Sequence, residues 1–297
     1  MNARDHHSIV PFRVTSLLHW AEEILSRRGV EDARCDGEWL LARVLGCGRM
    51  ELYLFHGREV TPAERRAFEE CVCRRARREP LQHILGTVTF GNLELMVDSR
   101  ALIPRPETEE LVGAIKNYYA AAAEFPGSIL DLGTGSGAII LALGKLFPEA
   151  TLTASDLDAN ALSLARANAK HCSMEKRITF HQSDWFQMLR GTWDHIVSNP
   201  PYLNEGELES ASPEVRLYEP RRALVAPRGG TGHLEIIIRG APAFLSPGGL
   251  LAVETGITQH DYLIFVAGQV GLRVQERIRD LSGRPRMLLL QKRRSQA

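Results

Sequence analysis

A short apolar stretch, Ser128 to Leu132, runs into the turn Asp131-Leu-Gly-Thr-Gly-Ser-Gly137. Glycines at 133, 135 and 137 let a chain leaving a strand turn tightly and adopt φ > 0 at a helix N-terminus, where backbone can approach a ligand. The pattern then alternates. Ala138 to Phe147 and Ala159 to Lys170 have helical spacing, and Leu152 to Ser155 reads as the strand between them. Ile178 to His181 and His195 to Ser198 read as further strands. Leu234 to Leu245 reads as a helix stopped by Pro247-Gly248-Gly249, and Leu250 to Glu254 as the next strand. A helix near Asp261 to Ala267 and strands near Leu272 to Arg277 and Arg286 to Gln291 complete the chain. Alternation of this kind predicts an α/β, Rossmann-like fold: a mostly parallel sheet with helices on both faces.

The chain before about Leu85 reads differently, as short helices. Val14 to Arg28 carries Leu17, Leu18, Ala21, Ile24 and Leu25 on one face, with Thr15 or Ser16 as its cap and Gly29 as its stop. Asp32 to Leu45 repeats the pattern and ends at Gly46, and Met50 to Phe55 is a short apolar segment. Thr61-Pro62 with Glu64 predicts a capped helix running to about Arg78. Arg74, Arg75, Arg77 and Arg78 then form either a solvated helix end or a docking patch for an acidic partner. Thr87 to Phe90 and Leu93 to Val97 around Gly91-Asn92 predict a β-hairpin. Ile103 to Glu109 leads into a helix from Glu110 to about Ala123, with Pro104 and Pro106 keeping the residues before them extended. The expected division is a helical domain over 1–86, a hairpin linker over 87–100 and the α/β domain over 101–297.

The 297 residues carry 36 basic and 36 acidic side chains, which argues against a protein held to nucleic acid by a broad basic surface. Residues 1–86 are as balanced, with 14 Arg against 13 Asp plus Glu. The odd set Cys35, Cys47, Cys71, Cys73 and Cys172 has no CxxC pair and fits inert thiols in a reducing cytosol. No apolar run reaches membrane-spanning length, no signal-peptide pattern opens the chain, and Met1 to Ser8 reads as a frayed polar tail. A cytoplasmic protein without membrane or metal partners is expected.

The glycine turn alone admits several nucleotide ligands. Asp156 ends the second strand 21 residues beyond Gly135, where a ribose-diol acceptor is expected. A nicotinamide cofactor and S-adenosylmethionine fit these features almost equally. The spacing Gly133-Thr134-Gly135-Ser136-Gly137 departs from G-x-G-x-x-G, and Asn199-Pro200-Pro201-Tyr202 follows the fourth strand, where hydride chemistry has no need of it. Asp184 could accept from an adenine amine and Trp185 or Phe186 could stack on its ring, though both aromatics would serve equally as core. For Asp131 three roles stay open: accepting from a methionine ammonium, orienting the turn, or capping the helix.

Asn199 to Tyr202 suits methyl transfer from a sulfonium to a planar, conjugated nitrogen. Such a nitrogen is a poor nucleophile, so its N–H bonds must be held by acceptors with the lone pair in line with the methyl. Asn199 offers a side-chain carbonyl, Pro200 a backbone carbonyl, and the proline pair removes competing donors. Tyr202 offers a flat face.

With Ile103-Pro-Arg-Pro-Glu-Thr-Glu109, Ser183-Asp-Trp-Phe186, Tyr218-Glu-Pro220 and Glu254-x-Gly256-x-x-Gln259 added, the chain resembles the peptide chain release factor glutamine N5-methyltransferases, the PrmC/HemK family, from about Val14 to Lys292. The resemblance implies a helical N-terminal domain that docks the release factor. It implies a seven-stranded methyltransferase domain with an antiparallel last strand, and the glutamine of a Gly-Gly-Gln loop as substrate. Gly133 to Gly137, Asp156, Trp185 and Asn199 would line S-adenosylmethionine, Asn199 to Tyr202 would grip the glutamine amide, and Ile103 to Glu109 would help to wall the pocket. Arg105, beside Pro106, would orient the loop or pair with Glu107. Asn-Pro-Pro-Tyr is shared with DNA adenine N6-methyltransferases, the nearest rival. That rival needs a target-recognition region and a basic cleft. A non-catalytic docking module and an NAD-dependent dehydrogenase are weaker rivals.

Overall fold

The computed structural model describes residues 12–122 and 125–294, so the tail from Met1 to Ser8 and the expected helix end at Ala123 lie outside the described residues. Two compact units meet in sequence at Gly86 and Thr87.

The first unit holds α1 (Val14–Arg27), α2 (Ala33–Leu45), a 3₁₀ helix (Arg49–Phe55), α3 (Pro62–Ala76) and α4 (Leu81–Leu85). Their apolar faces bury Leu17, Leu18, Leu40, Leu41, Phe68 and Val72 in one core. Thr61 caps α3 through the Glu64 amide while the Glu64 carboxylate takes the Thr61 N–H, with Pro62 in the first turn. The cap expected for α1 is not made: Arg13 holds that position without a side-chain bond, and Thr15 and Ser16 lie inside the helix. The arginine cluster is mixed: Arg77 is exposed, and others of the four are tied to neighbouring groups. Arg75 is buried with its Nε donating to Asp36 Oδ2 at 2.7 Å, Arg74 pairs with Glu79, and Arg78 donates to the Gly29 carbonyl.

The second unit opens with the hairpin β1 (Thr87–Phe90) and β2 (Leu93–Met96). Phe90, Leu93 and Leu95 pack into the core of this unit, and the Asn168 side chain bonds both backbone groups of Met96, so the hairpin is folded into the α/β body. Helix α5 (Pro106–Ala122) starts four residues earlier than expected, because proline with its fixed φ and missing N–H suits the first helical position. Then follow β3 (Ser128–Leu132), α6 (Ala138–Leu146), β4 (Thr151–Asp156), α7 (Ala159–His171), β5 (Ile178–Gln182) and β6 (Trp193–Ser198). Two short helices, α8 (Glu205–Ser210) and α9 (Pro213–Tyr218), and a 3₁₀ turn (Arg221–Ala223) precede α10 (Gly232–Phe244). The chain closes with β7 (Leu245–Glu254), α11 (His260–Gln269), β8 (Leu272–Arg279) and β9 (Pro285–Lys292).

The seven strands lie in the order β5-β4-β3-β6-β7-β9-β8, parallel except for β9, which runs antiparallel to β7 and β8. The period of two sends alternate side chains to opposite faces. Ile129, Val197, Ala252 and Leu289 enter the core under α5 and α6, while Leu130, Ile196, Leu251 and Leu290 enter the core under α10 and α11. Burial on both faces explains why these strands are near-continuous apolar runs. The order reverses between β3 and β6, and the carboxyl ends there form the crevice where such sheets bind ligands.

Candidate active site

A cavity of about 340 Å³ opens at that crevice, within the usual size range for small-molecule sites. Its floor is the turn after β3. Gly133 has φ 72°, a left-handed conformation that favours glycine, and a Cβ there would meet the Trp185 ring at 3.6 Å, an ordinary contact. Trp185 is itself at φ 48°, costly for a bulky residue. The turn around it is held by Ser183 Oγ, which donates to the Trp185 carbonyl at 2.8 Å and accepts from the Met188 N–H at 3.0 Å. That geometry lays the indole along the cavity wall beside the glycine turn.

Asp156, at the end of β4, also lines the cavity. Its Oδ2 accepts from the Gly135 N–H and its Oδ1 from the Asp158 N–H, each at 2.9 Å. Burial raises its pKa against these two bonds. Asp131 is fully buried beneath the turn and takes the Thr134 hydroxyl on Oδ2 at 2.7 Å. Burial pushes its pKa up to about 7, with the Asp156 charge adding to the rise and the Thr134 bond opposing it. Asp131 therefore ties the turn together from below. Glycines at positive φ, an aromatic wall and a carboxylate at the end of the second strand fit a nucleoside-bearing cofactor.

At the far side of the cavity stands Asn199, just past the end of β6. Its Nδ2 donates to Thr108 Oγ1 at 3.0 Å. With the nitrogen committed there, the carbonyl Oδ1 is the end of the amide left for a ligand. Thr108, in the first turns of α5, donates in turn to Glu254 Oε2 at 2.8 Å, and Tyr202 donates its hydroxyl to Glu254 Oε1 at 2.9 Å. The loop after Tyr202 is pinned by Gln259, whose Nε2 donates to the Tyr202 carbonyl and whose Oε1 accepts from the Gly256 N–H.

Of the residues singled out in the sequence, Gly133, Thr134, Gly135, Ser136, Asp156, Asp184, Trp185, Asn199, Pro201 and Arg105 share the cavity wall. Asp131, Gly137, Pro106, Pro200 and Tyr202 do not line it. Pro106 is exposed at the start of α5, Pro200 is buried, and Tyr202 turns its hydroxyl to Glu254 rather than into the cavity. Phe186 is core, stacked on Phe244 at 4.5 Å between ring centroids, which leaves Trp185 as the aromatic of the wall. Arg105 does not pair with Glu107. Its Nη2 reaches both oxygens of the buried Glu219 at 2.7 Å and so joins the Pro-Arg-Pro segment to Tyr218-Glu219-Pro220. Burial holds Glu219 above its ordinary pKa despite that cation.

Thr108 was expected only as part of the Ile103 to Glu109 wall and does line the cavity, while sequence reasoning assigned no role to Glu254, Arg222 or His233. Arg222 and His233 line the cavity, His233 with its ring 5.3 Å from that of Trp185. Glu254 left one signal: a carboxylate ending the apolar run Leu250 to Val253, where a charge needs a specific partner.

Residues 16–86 match the model of the PrmC N-terminal domain, and residues 115–229 match that of the methyltransferase small domain. A release factor glutamine methyltransferase of Geobacter sulfurreducens is 40% identical over 260 residues, covering 87% of this chain and 89% of that one. Another, from Rhodopirellula baltica, is 36% identical over 287 residues, covering 95% and 97%. Among solved structures, a methyltransferase from Pyrococcus furiosus superposes with a TM-score of 0.51 at 19% identity, over 74% of this chain and 98% of that one. A likeness at that identity speaks for the fold alone.

Proposed function

This chain belongs to the release factor glutamine methyltransferases, and on that premise we propose that it methylates the side-chain amide nitrogen of the glutamine in a Gly-Gly-Gln loop of peptide chain release factors. The observation that carries the reading is the fixed amide of Asn199, which leaves an acceptor rather than a donor at the cavity wall. An incoming primary amide brings two N–H donors, and an acceptor is what it needs.

The methyl donor is S-adenosylmethionine, which supplies an already activated sulfonium methyl and a thioether leaving group. Asp156 accepts from the ribose hydroxyls, Trp185 covers the base, and the backbone of Gly133 to Gly135 makes room for the chain that carries the sulfur. Asn199 Oδ1 holds one hydrogen of the glutamine amide. Pro200 does not line the cavity, so Asn199 Oδ1 is the one acceptor assigned to the amide, and neither Pro200 nor Pro201 offers a competing N–H. Held so, the amide nitrogen turns its lone pair toward the methyl carbon, and positioning of this kind supplies about 7–11 kcal/mol of a barrier in favourable cases. The buried walls around Asn199 exclude water from the nitrogen. No side chain need take the proton before attack; it leaves to water afterwards.

The helical first unit is the docking element for the release factor in this reading, and a release-factor substrate implies a cytoplasmic setting. The names of the relatives favour glutamine over adenine as acceptor, and the balanced charge supports no basic cleft for DNA. Among the described residues no helix is long and apolar enough to cross a membrane. The test is incubation with tritiated S-adenosylmethionine and, in separate tubes, a purified release factor and duplex DNA. Label in the Gly-Gly-Gln peptide is the expected result; label in DNA alone would refute it.

A further inference from the structure

We propose that Glu254 is a positioning residue that decides, through the Thr108 hydroxyl, which end of the Asn199 amide faces the substrate. The inference rests on the reading that Asn199 accepts from the glutamine amide, and it adds the device that makes Asn199 an acceptor.

Three elements converge on the device. Asn199 follows β6, Thr108 lies in α5, and Glu254 ends β7. The bonds run Asn199 Nδ2 to Thr108 Oγ1 at 3.0 Å, then Thr108 Oγ1 to Glu254 Oε2 at 2.8 Å. A hydroxyl has one proton, and an ionised carboxylate can only accept. The Thr108 proton must therefore go to Glu254, which leaves Thr108 only an oxygen to offer Asn199. An amide facing an oxygen must present its NH₂. Its carbonyl is then forced to the opposite side, at the cavity. The polarity of the site is thus set two bonds away from it.

Glu254 is held firmly enough to do this. It is 1% exposed, its backbone pairs with Met287 of β9, and its other oxygen takes the Tyr202 hydroxyl at 2.9 Å. The charged groups facing it are Arg286 of β9, which steadies the carboxylate, and Glu107 of α5, which opposes it. Arg286 is shared with Asp280, 3.6 Å from its Nε. Burial dominates this balance and raises the pKa of Glu254. Once protonated, Glu254 becomes a donor. It can give its proton to Thr108, whose own proton is then free to turn toward Asn199, and the amide rotates to present its carbonyl to Thr108. Two NH₂ groups would then face each other across the site, so methyl transfer should fail on the acid side.

A purely structural network would lose stability when cut but would not invert the amide. Three near-isosteric variants separate the two: Glu254→Gln, Thr108→Val and Thr108→Ser. Methylation of a release factor is followed from pH 5.5 to 8.5 at saturating S-adenosylmethionine, with calorimetric binding of S-adenosylhomocysteine and melting temperature measured in parallel. Thr108→Val should lower kcat about 10- to 100-fold, while Thr108→Ser stays within about threefold and both bind S-adenosylhomocysteine as the wild type does. Wild-type kcat should fall on the acid side, and Glu254→Gln, which cannot titrate, should lose that limb. A readout free of turnover is the NMR signal pair of the Asn199 NH₂ group, assigned by its absence in Asn199→Asp. It should shift with pH in the wild type along the same acid limb and stay still in Glu254→Gln. Wild-type kcat in Thr108→Val, or an unchanged acid limb in Glu254→Gln, overturns the proposal. Should the wild type label no release factor, the functional reading falls while the NMR titration still judges the relay.

Discussion

Replacing Asp156 by Asn tests the assignment of the ribose end of the cavity. Each carboxylate oxygen of Asp156 already takes one backbone N–H, from Gly135 and from Asp158, both at 2.9 Å. An amide at this position must therefore aim its NH₂ at one of those donors, and no rotation avoids it. The variant loses a charge-assisted bond to each ribose hydroxyl, keeps at most one neutral bond, and leaves one backbone donor of the glycine turn unpaired. Charge-assisted bonds contribute about 1.5–3 kcal/mol and neutral ones about 1 kcal/mol. The net loss is about 2–5 kcal/mol, or about 30- to 4000-fold in dissociation constant. Calorimetric titration with S-adenosylhomocysteine measures it, and an analogue lacking one ribose hydroxyl makes the test specific. Wild type and variant should differ much less toward that analogue, because the bond it lacks is one the variant has already lost. An affinity within about twofold of wild type, or an equal penalty for both ligands, would refute the diol assignment and leave Asp156 as a support of the turn.

Asn199→Ala should lower kcat about 10²- to 10³-fold, the usual cost of one preorganised hydrogen-bond group, with S-adenosylhomocysteine binding changed less than threefold by calorimetry. Arg105→Ala leaves the Glu219 carboxylate buried without its cation and should destabilise the protein by about 2–4 kcal/mol; Glu219→Gln added to it should recover part of the loss in urea unfolding. His195 is fully buried and resists protonation down to about pH 3, because burial disfavours its cation. The unfolded chain binds that proton near pH 6.5, so the stability is present above about pH 6.5 and lost toward about pH 3, at up to about 1.4 kcal/mol per pH unit. Asp131 acts with the opposite sign as pH rises to about 7. The measurement is therefore the difference between wild type and His195→Gln in urea midpoint from pH 7 to pH 5, which should shrink toward acid.

The central strands β3, β6 and β7 were legible because burial on both faces makes them near-continuous apolar runs, bounded by the turn after Leu132 and the prolines after Asn199. Helix α3 was legible because Thr61, Pro62 and Glu64 carry its capping chemistry in adjacent positions. The failures have a common cause in range. Helices α8 and α9 are six residues each, too short to show a period. The expected partner of Arg105 was Glu107, two positions away in the first turn of α5. Its real partner, Glu219, is 114 residues away. Thr108 reaches Asn199 over 91 residues and Glu254 over 146, pairings that only the folded sheet creates. The glycine turn, Asp156 and Asn199 declared themselves because their chemistry is local. The relay that gives Asn199 its polarity did not, because it is assembled from three elements.

The account turns on where the oxygen of residue 199 points when a glutamine arrives. A crystal structure of the chain with S-adenosylhomocysteine and a Gly-Gly-Gln release factor should place the glutamine nitrogen about 2.7–3.2 Å from Asn199 Oδ1, with Nδ2 still on Thr108. A glutamine bound elsewhere, or an Asn199 that offers its NH₂ to the substrate, would contradict it.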